Sequence, residues 1–391
     1  MQKRILFIDH HSELSGGEIA MLEIVKTLDR KRFHPLVLLG KGGLLADNFR
    51  ACGVEVFIEK LPEYFIGLRR ASSGSNRMIN LVKSMVAFMP IVNRTRRIIT
   101  AHNIDIVYIN SPKSLLYAAL AARITRKVSI WHLHDCLSRD FYSKPTIKII
   151  ILAAALITKV ICVSDIVRNK FISAGGDPGK AVVIYNGVDT DRFHPSIFCE
   201  NIKTSLRLEN KTVISIVGRL EHWKGQRVFI NAAKKVSDKF HNVVFLIVGE
   251  AFFGFEEYEK DLRILVQSTG MQDKVLFMGF QENPEQFYAL SDLVVHCSIK
   301  PEPFGRDIIE AFACAKPVIA SNIGAASEII DNNNGVLIEA GDSDVLADSI
   351  IALLQNPDYK ASLAVNARQT ALKRFDIKKI TKQIEDIIIQ L

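Results

Sequence analysis

The chain has 391 residues, 48% of them hydrophobic and 24% charged, with a net charge of +8. That balance excludes a disordered chain, and a single core rarely grows past roughly 250–300 residues, so two domains are expected. Cys52, Cys136, Cys162, Cys199, Cys297 and Cys314 are scattered without CxxC or zinc-like spacing, which excludes a disulfide scaffold and reads as reduced, cytosolic thiols.

Residues 1–8 carry Ile5, Leu6, Phe7 and Ile8, too short an apolar run for a secretory signal, and read as a buried first strand over 4–9. Further strands are predicted at 34–39, 54–58, 105–109, 127–132 and 160–163, with helices between them, for instance at 17–29, 43–51 and 112–122. Residues 61–100 mix apolar residues (Phe65, Ile66, Leu68, Met78, Met85, Phe88) with Arg69, Arg70, Arg77, Lys83, Arg94, Arg96 and Arg97, and hold a single acid, Glu63. Such a basic amphipathic segment suits an anionic membrane interface, or packs on the sheet with a solvated basic face. The longest later apolar run, 149–157, is about half the ~20 residues a spanning helix needs, so no transmembrane segment is expected.

Residues 190–210 hold Asp191, Pro195 and polar residues without clear periodicity and read as a linker. After about residue 210 the alternation restarts, with strands at 212–217, 243–248, 275–278, 292–296, 317–320 and 335–338. Helices follow at 224–238, 256–268, 284–290, 305–315 and 343–355. The pattern predicts an α/β protein of two Rossmann-like domains. A last helix, about 377–390, carries Ile377, Ile380, Ile384, Ile387 and Ile388 at helical spacing and must bury that stripe. Charge is uneven: residues 1–190 hold 27 Lys and Arg against 15 Asp and Glu, the remainder 23 against 27. The first half therefore suits an acidic partner: a membrane surface, a phosphorylated lipid or a nucleic acid.

The richest stretch runs from Glu302 through Pro303, Phe304, Gly305, Arg306 and Asp307 to Glu310, between a strand and a helix starting near Gly305. Ligands in open α/β sheets bind at strand carboxyl ends near helix N-termini, so the N–H groups of Phe304, Gly305 and Arg306 face such a ligand. Glu302 and Glu310 suit a vicinal diol, as in a sugar or ribose. A second stretch, Val217-Gly218-Arg219-Leu220 followed by Lys224-Gly225, places a guanidinium fork and an ammonium beside a helix start, a phosphate site. A third, Gly16-Gly17, lets backbone approach a ligand but is not a full GxGxxG, which disfavours a dinucleotide oxidoreductase. A fourth, Trp131-His132-Leu133-His134-Asp135, ends a strand, where one of the two histidines should point away. Weaker markers are Ser164, Asn186-Gly187-Val188-Asp189, Gly249-Glu250 and Gly279-Phe280. Asp189-Thr190-Asp191 matches a DxD metal motif in letters, but not in its linker-like place, so no metal is expected.

E-x7-E embedded in EPFGRDIIEAFACAKPVIAS resembles the signature of retaining glycosyltransferase family 4, over nearly the whole chain. The resemblance implies the GT-B fold, two Rossmann-like domains facing a cleft. Residues 1–190 would bind the acceptor, with a helix at about 375–391 packed back on them, and residues 191–374 would bind the nucleotide sugar. It implies Glu302 at the transferred sugar, Glu310 at the ribose, and Arg219 and Lys224 on the diphosphate, neutralising the leaving group without a metal. Gly16 and Gly17 would approach the diphosphate and sugar, His134 (with His132 second) the sugar, and Gly249 the donor pocket. No residue stands out as a covalent nucleophile, so a front-face route with retention is expected. The implied reaction moves a sugar from a UDP- or GDP-sugar to a glycan or lipid-linked acceptor of the cell envelope, in the cytoplasm or on the inner membrane face. No cofactor beyond the donor is implied, and no nucleic-acid recognition motif is present. The rivals are a GT-B epimerase of UDP-sugars and a non-catalytic nucleotide-sugar-binding protein.

Overall fold

The computed structural model describes residues 2–11, 15–60, 77–251 and 254–391, with only the backbone of 77–87. The chain forms two compact units, Met1–Gly187 with Ile377–Leu391, and Val188–Asp376.

In the first unit the elements are β1 (Lys3–Asp9), α1 (Gly16–Thr27), β2 (Phe33–Leu39), α2 (Leu44–Ala51), β3 (Glu55–Ile58), α3 (Arg77–Ala101) and β4 (Ile106–Ile109). They continue with α4 (Pro112–Ile124), β5 (Val128–Leu133), α5 (Lys144–Ala154), β6 (Lys159–Cys162), α6 (Asp165–Ser173) and β7 (Ala181–Val183). Among the described residues the strands form one parallel sheet of order β3-β2-β1-β4-β5-β6-β7. Helices on both faces demand unbroken apolar strands, and Ile5, Leu6, Phe7 and Ile8 of β1 are each 0% exposed. The chain's last helix belongs to this unit. Its stripe of Ile377, Ile380, Ile384 and Ile388 packs into the core with Met21, Ile24 and Val25 of α1. Asp29 donates its backbone N–H to Glu385 at 2.8 Å, fastening the end of α1 to that helix.

The second unit holds α7 (Glu200–Ser205), β8 (Thr212–Val217), α8 (Gln226–Lys239), β9 (Val243–Val248), α9 (Glu256–Ser268), β10 (Val275–Gly279) and α10 (Pro284–Leu290). It continues with β11 (Leu293–His296), α11 (Arg306–Ala313), β12 (Val318–Ser321), α12 (Ala326–Ile329), β13 (Val336–Ile338), α13 (Ser343–Gln355) and α14 (Pro357–Thr370), then one π turn, Ala371–Phe375. The helix Ile377–Gln390, packed in the first unit, is α15. Among the described residues the second sheet is also parallel, of order β10-β9-β8-β11-β12-β13.

Three features depart from the sequence reading. Residues 190–210 are not a free linker: Cys199 and Leu208 are buried with Val244, Leu246 and Phe287, because their apolar side chains cover one face of the second sheet. The bounds of α5, and α6, α14 and the short strand β7 altogether, were not anticipated. Each of these helices begins at a Ser or Asn whose side chain caps it (Ser143, Ser164, Asn356), a local signal that the apolar spacing hides. Residues 61–76, the start of the basic segment, lie outside the described residues, and 77–101 form α3 with Pro90 inside it. Among the described residues no helix is long and apolar enough to cross a membrane.

Candidate active site

In the second unit the sheet order reverses between β8 and β11, and open α/β sheets collect ligands beyond the strand carboxyl ends at such a reversal. β8 leads through Gly218 and Arg219 into a 3-10 turn, His222–Lys224, and then Gly225 and α8. Gly225 has φ 80°, and a Cβ there would stand 1.8 Å from the Cys297 carbonyl oxygen. Only glycine lets the β8 loop lie this close to the end of β11.

That approach brings Lys224 onto Glu302. The ammonium donates to both carboxylate oxygens, at 2.8 and 2.7 Å, and Ser298 donates its hydroxyl to Oε1. His296 Nε2 lies 3.6 Å from the same oxygen, and its Nδ1 lies 2.7 Å from Asp307 on the first turn of α11. Two carboxylates, an ammonium and an imidazole thus share one buried place, and burial of charge is tolerated only when paired in this way. Burial alone would lower the pKa of both cations; Asp307 and Glu302 outweigh it and raise both His296 and Lys224. Burial would likewise raise Asp307, but His296, by charge and by hydrogen bond, holds it below its ordinary value.

Arg219 Nη1 sits 3.1 Å from Glu221, and the Arg219 side chain is 37% exposed. Its backbone carbonyl accepts from Gln226 at 2.9 Å. Glu310 is clamped: Tyr288 donates its hydroxyl to one oxygen at 3.0 Å and Arg306 donates to the other at 3.2 Å. Burial and Glu310 push the Tyr288 phenol well up, so it remains a donor. Gly305 caps α11 at φ 112°, and the Phe304 ring is buried 6.0 Å from Phe375, so its side chain anchors the loop. Gly249 ends β9 at φ 130°, where a Cβ would stand 2.1 Å from the Gly218 carbonyl oxygen. The Asp189 carboxylate accepts the backbone N–H groups of Asp191 and Arg192 at 3.0 Å each, and so closes a turn.

In the first unit the Gly16-Gly17 loop, β4 and β5 meet at strand carboxyl ends. Asp9, 0% exposed, accepts from Asn110 Nδ2 at 2.6 Å, and Asn110 also donates to the Gly17 carbonyl at 3.2 Å. Asn110 Oδ1 lies 3.0 Å from His134 Nε2. His132 is instead sealed in the core, 1% exposed, with Nδ1 2.8 Å from the Tyr108 hydroxyl. Of the two histidines it is therefore His134 that stands beside Gly17 at the strand ends. Ser15 and Glu18 have capping-box spacing, but the Ser15 hydroxyl donates to the Glu18 carboxyl and accepts no backbone N–H. Burial, then Asp9, pushes the Glu18 carboxyl up to about 8.

Residues 199–370 match the model of glycosyl transferases group 1, and residues 14–192 match that of glycosyltransferase family 4. The Anabaena protein Alr3699/HepE, solved in complex with UDP and glucose, superimposes with a TM-score of 0.86 at 31% identity, over 100% of both chains. The phosphatidyl-myo-inositol mannosyltransferase of Mycobacterium leprae is 28% identical over 87% of this chain and 89% of its own. The UDP-Gal:alpha-D-GlcNAc-diphosphoundecaprenol alpha-1,3-galactosyltransferase of Escherichia coli is 25% identical over 97% and 94%. The chain belongs to glycosyltransferase family 4: it is a glycosyltransferase with the GT-B fold.

Sequence reasoning singled out Arg219, Lys224, Glu302 and Glu310 and missed the groups that hold them. His296, Asp307, Ser298, Tyr288 and Glu221 carry no fixed spacing to their partners. The one signal was a histidine ending a predicted strand and an aspartate opening the next helix.

Proposed function

We propose that this chain transfers a sugar from a UDP- or GDP-sugar to a glycan or lipid-linked acceptor, with retention and without a metal ion. The observation that carries this reading is the bidentate Lys224–Glu302 pair at the β8/β11 reversal, with Glu310 held eight residues on by Tyr288 and Arg306. In this reading Lys224 and Arg219 take the diphosphate and oppose the charge that grows on it as the glycosidic bond breaks. Glu310 accepts from the ribose hydroxyls and Glu302 from the sugar. His134 and the Gly16-Gly17 loop serve the sugar, and Gly249 with the backbone of 304–306 serves the donor. The acceptor hydroxyl attacks from the face the diphosphate leaves, and its proton passes to the departing phosphate. The Anabaena relative, bound to UDP and glucose, supports a UDP donor. The Mycobacterium leprae and Escherichia coli relatives are named for lipid-bearing acceptors, which supports a lipid-linked one here.

A thermal-shift screen of UDP-, GDP- and ADP-sugars tests the donor; saturation at about 100 times Kd stabilises by about 2.7 kcal/mol. The cognate donor should give product of retained anomeric configuration in EDTA, and Glu310→Gln should lower transfer by roughly 100-fold or more while keeping the melting profile. Unchanged transfer in that variant sinks the assignment, and conversion of donor without acceptor points to an epimerase.

We propose further that the first unit works at an anionic membrane surface. Residues 61–76 of the segment first suspected lie outside the described residues. Support comes from α5, where Ile149, Leu152 and, just beyond its end, Leu156 are 49%, 71% and 38% exposed beside the exposed Lys144 and Lys148.

A further inference from the structure

Asn110, 3% exposed at the end of β4, touches a carboxylate, a backbone carbonyl and an imidazole at once. Its Nδ2 faces Asp9 Oδ2 at 2.6 Å and the Gly17 carbonyl at 3.2 Å. Asp9 Oδ1 already accepts the backbone N–H groups of His10 and His11, a donor-rich setting that favours the carboxylate. Both neighbours of Nδ2 are therefore acceptors. Turning the amide over would press oxygen against oxygen at both contacts. The amide has one orientation, and its oxygen faces His134 Nε2 at 3.0 Å. A carbonyl oxygen only accepts, so Nε2 carries the proton, and in the neutral ring the lone pair is then at Nδ1. Gly17 completes the cluster: a Cβ there would stand 3.4 Å from the His134 ring, so the loop and the imidazole lie in contact.

We propose that Asn110 is a positioning residue for sugar transfer: oriented by Asp9, it locks His134 in the Nε2–H tautomer and pins the Gly16-Gly17 loop against the imidazole. The proposal rests on reading His134 as a contact of the donor sugar. In this tautomer the ring's lone pair is at Nδ1; the other tautomer would put a donor there instead. No covalent bond changes in this step. The same amide ties the loop and the histidine together, so displacing one displaces the other.

The tautomer is read without any substrate, by long-range nitrogen–proton NMR of protein labelled with 15N-histidine. The His134 signals are identified by their loss in His134→Gln. The expected spectrum has a pyrrole-like Nε2 and a pyridine-like Nδ1 in the unmodified chain. In Asn110→Leu, of similar volume but without the amide, the preference should vanish, and kcat for transfer should fall about 10–100-fold with a smaller change in KM. A pyridine-like Nε2 in the unmodified chain overturns the proposal even if Asn110→Leu fails to fold. So does an unchanged His134 signal in a folded Asn110→Leu. An inactive chain with the expected tautomer would instead count against the transfer reading and leave the positioning intact.

Discussion

Lys224 was expected on the donor diphosphate, but it also holds the fold together. Its ammonium is only part of a buried quartet with Glu302, His296 and Asp307, and an unpaired buried carboxylate is costly. Lys224→Ala should therefore destabilise the chain by about 3–5 kcal/mol as well as stop transfer. The double variant Lys224→Met with Glu302→Gln removes both charges and should recover most of that stability, though no activity. Equal urea midpoints for the single variant and the parent chain would contradict this. Glu18 makes a pH-dependent contribution. Its carboxyl is raised from 4.5 to about 8 by burial and Asp9, so between those values the folded chain holds a proton the unfolded chain has lost. Stability from this group is then complete below 4.5 and drains away as pH climbs to about 8. Glu18→Gln should flatten that decline, and denaturation midpoints of parent and variant that fall in parallel from about pH 5 to about pH 8 would refute it.

Among the elements, α5 stands apart because its outer face is apolar where helices of a water-facing sheet are normally polar. From residue 141 to 164 the chain has no acid and carries Lys144, Lys148 and Lys159. Lys180 adds a cation at the helix's carboxyl end, where its Nζ donates to the Ala155 carbonyl at 2.7 Å. Apolar burial and attraction to anionic headgroups add, at about 1.5–3 kcal/mol per buried leucine-sized side chain and about 1 kcal/mol per lysine. The chain should cosediment with phosphatidylglycerol vesicles and not with phosphatidylcholine alone. Leu152→Asp should weaken that partition roughly tenfold or more. A variant that still sediments like the parent would move the contact elsewhere. The short capped helices show why the element map was incomplete. α6 was hidden because nine residues, Asp165–Ser173, bury only Val167 and Phe171, too few to show a period.

At the scale of the molecule, two sheets could be read from the chain because βα alternation simply starts again after a break. Parallel strands sealed on both faces are short, mostly apolar runs, as in Ile5–Ile8 of β1 and Val243–Val248 of β9. The E-x7-E spacing and the Arg219–Lys224 stretch were legible for a similar reason: close in sequence, they sit on one loop and one helix start. The isoleucine stripe of α15 announced only that it must be buried; the family resemblance placed it on the first domain, and α1 supplies the surface there. Groups far apart in sequence were invisible. Asn110 reaches Asp9 across 101 residues, and Lys224 reaches Glu302 across 78. Local composition and period determined which elements form and which residues could carry charge into a site. Which charges neutralise each other, which histidine leaves the core and which nitrogen holds its proton were decided by strand order, since only the folded sheet brings those side chains within hydrogen-bonding distance.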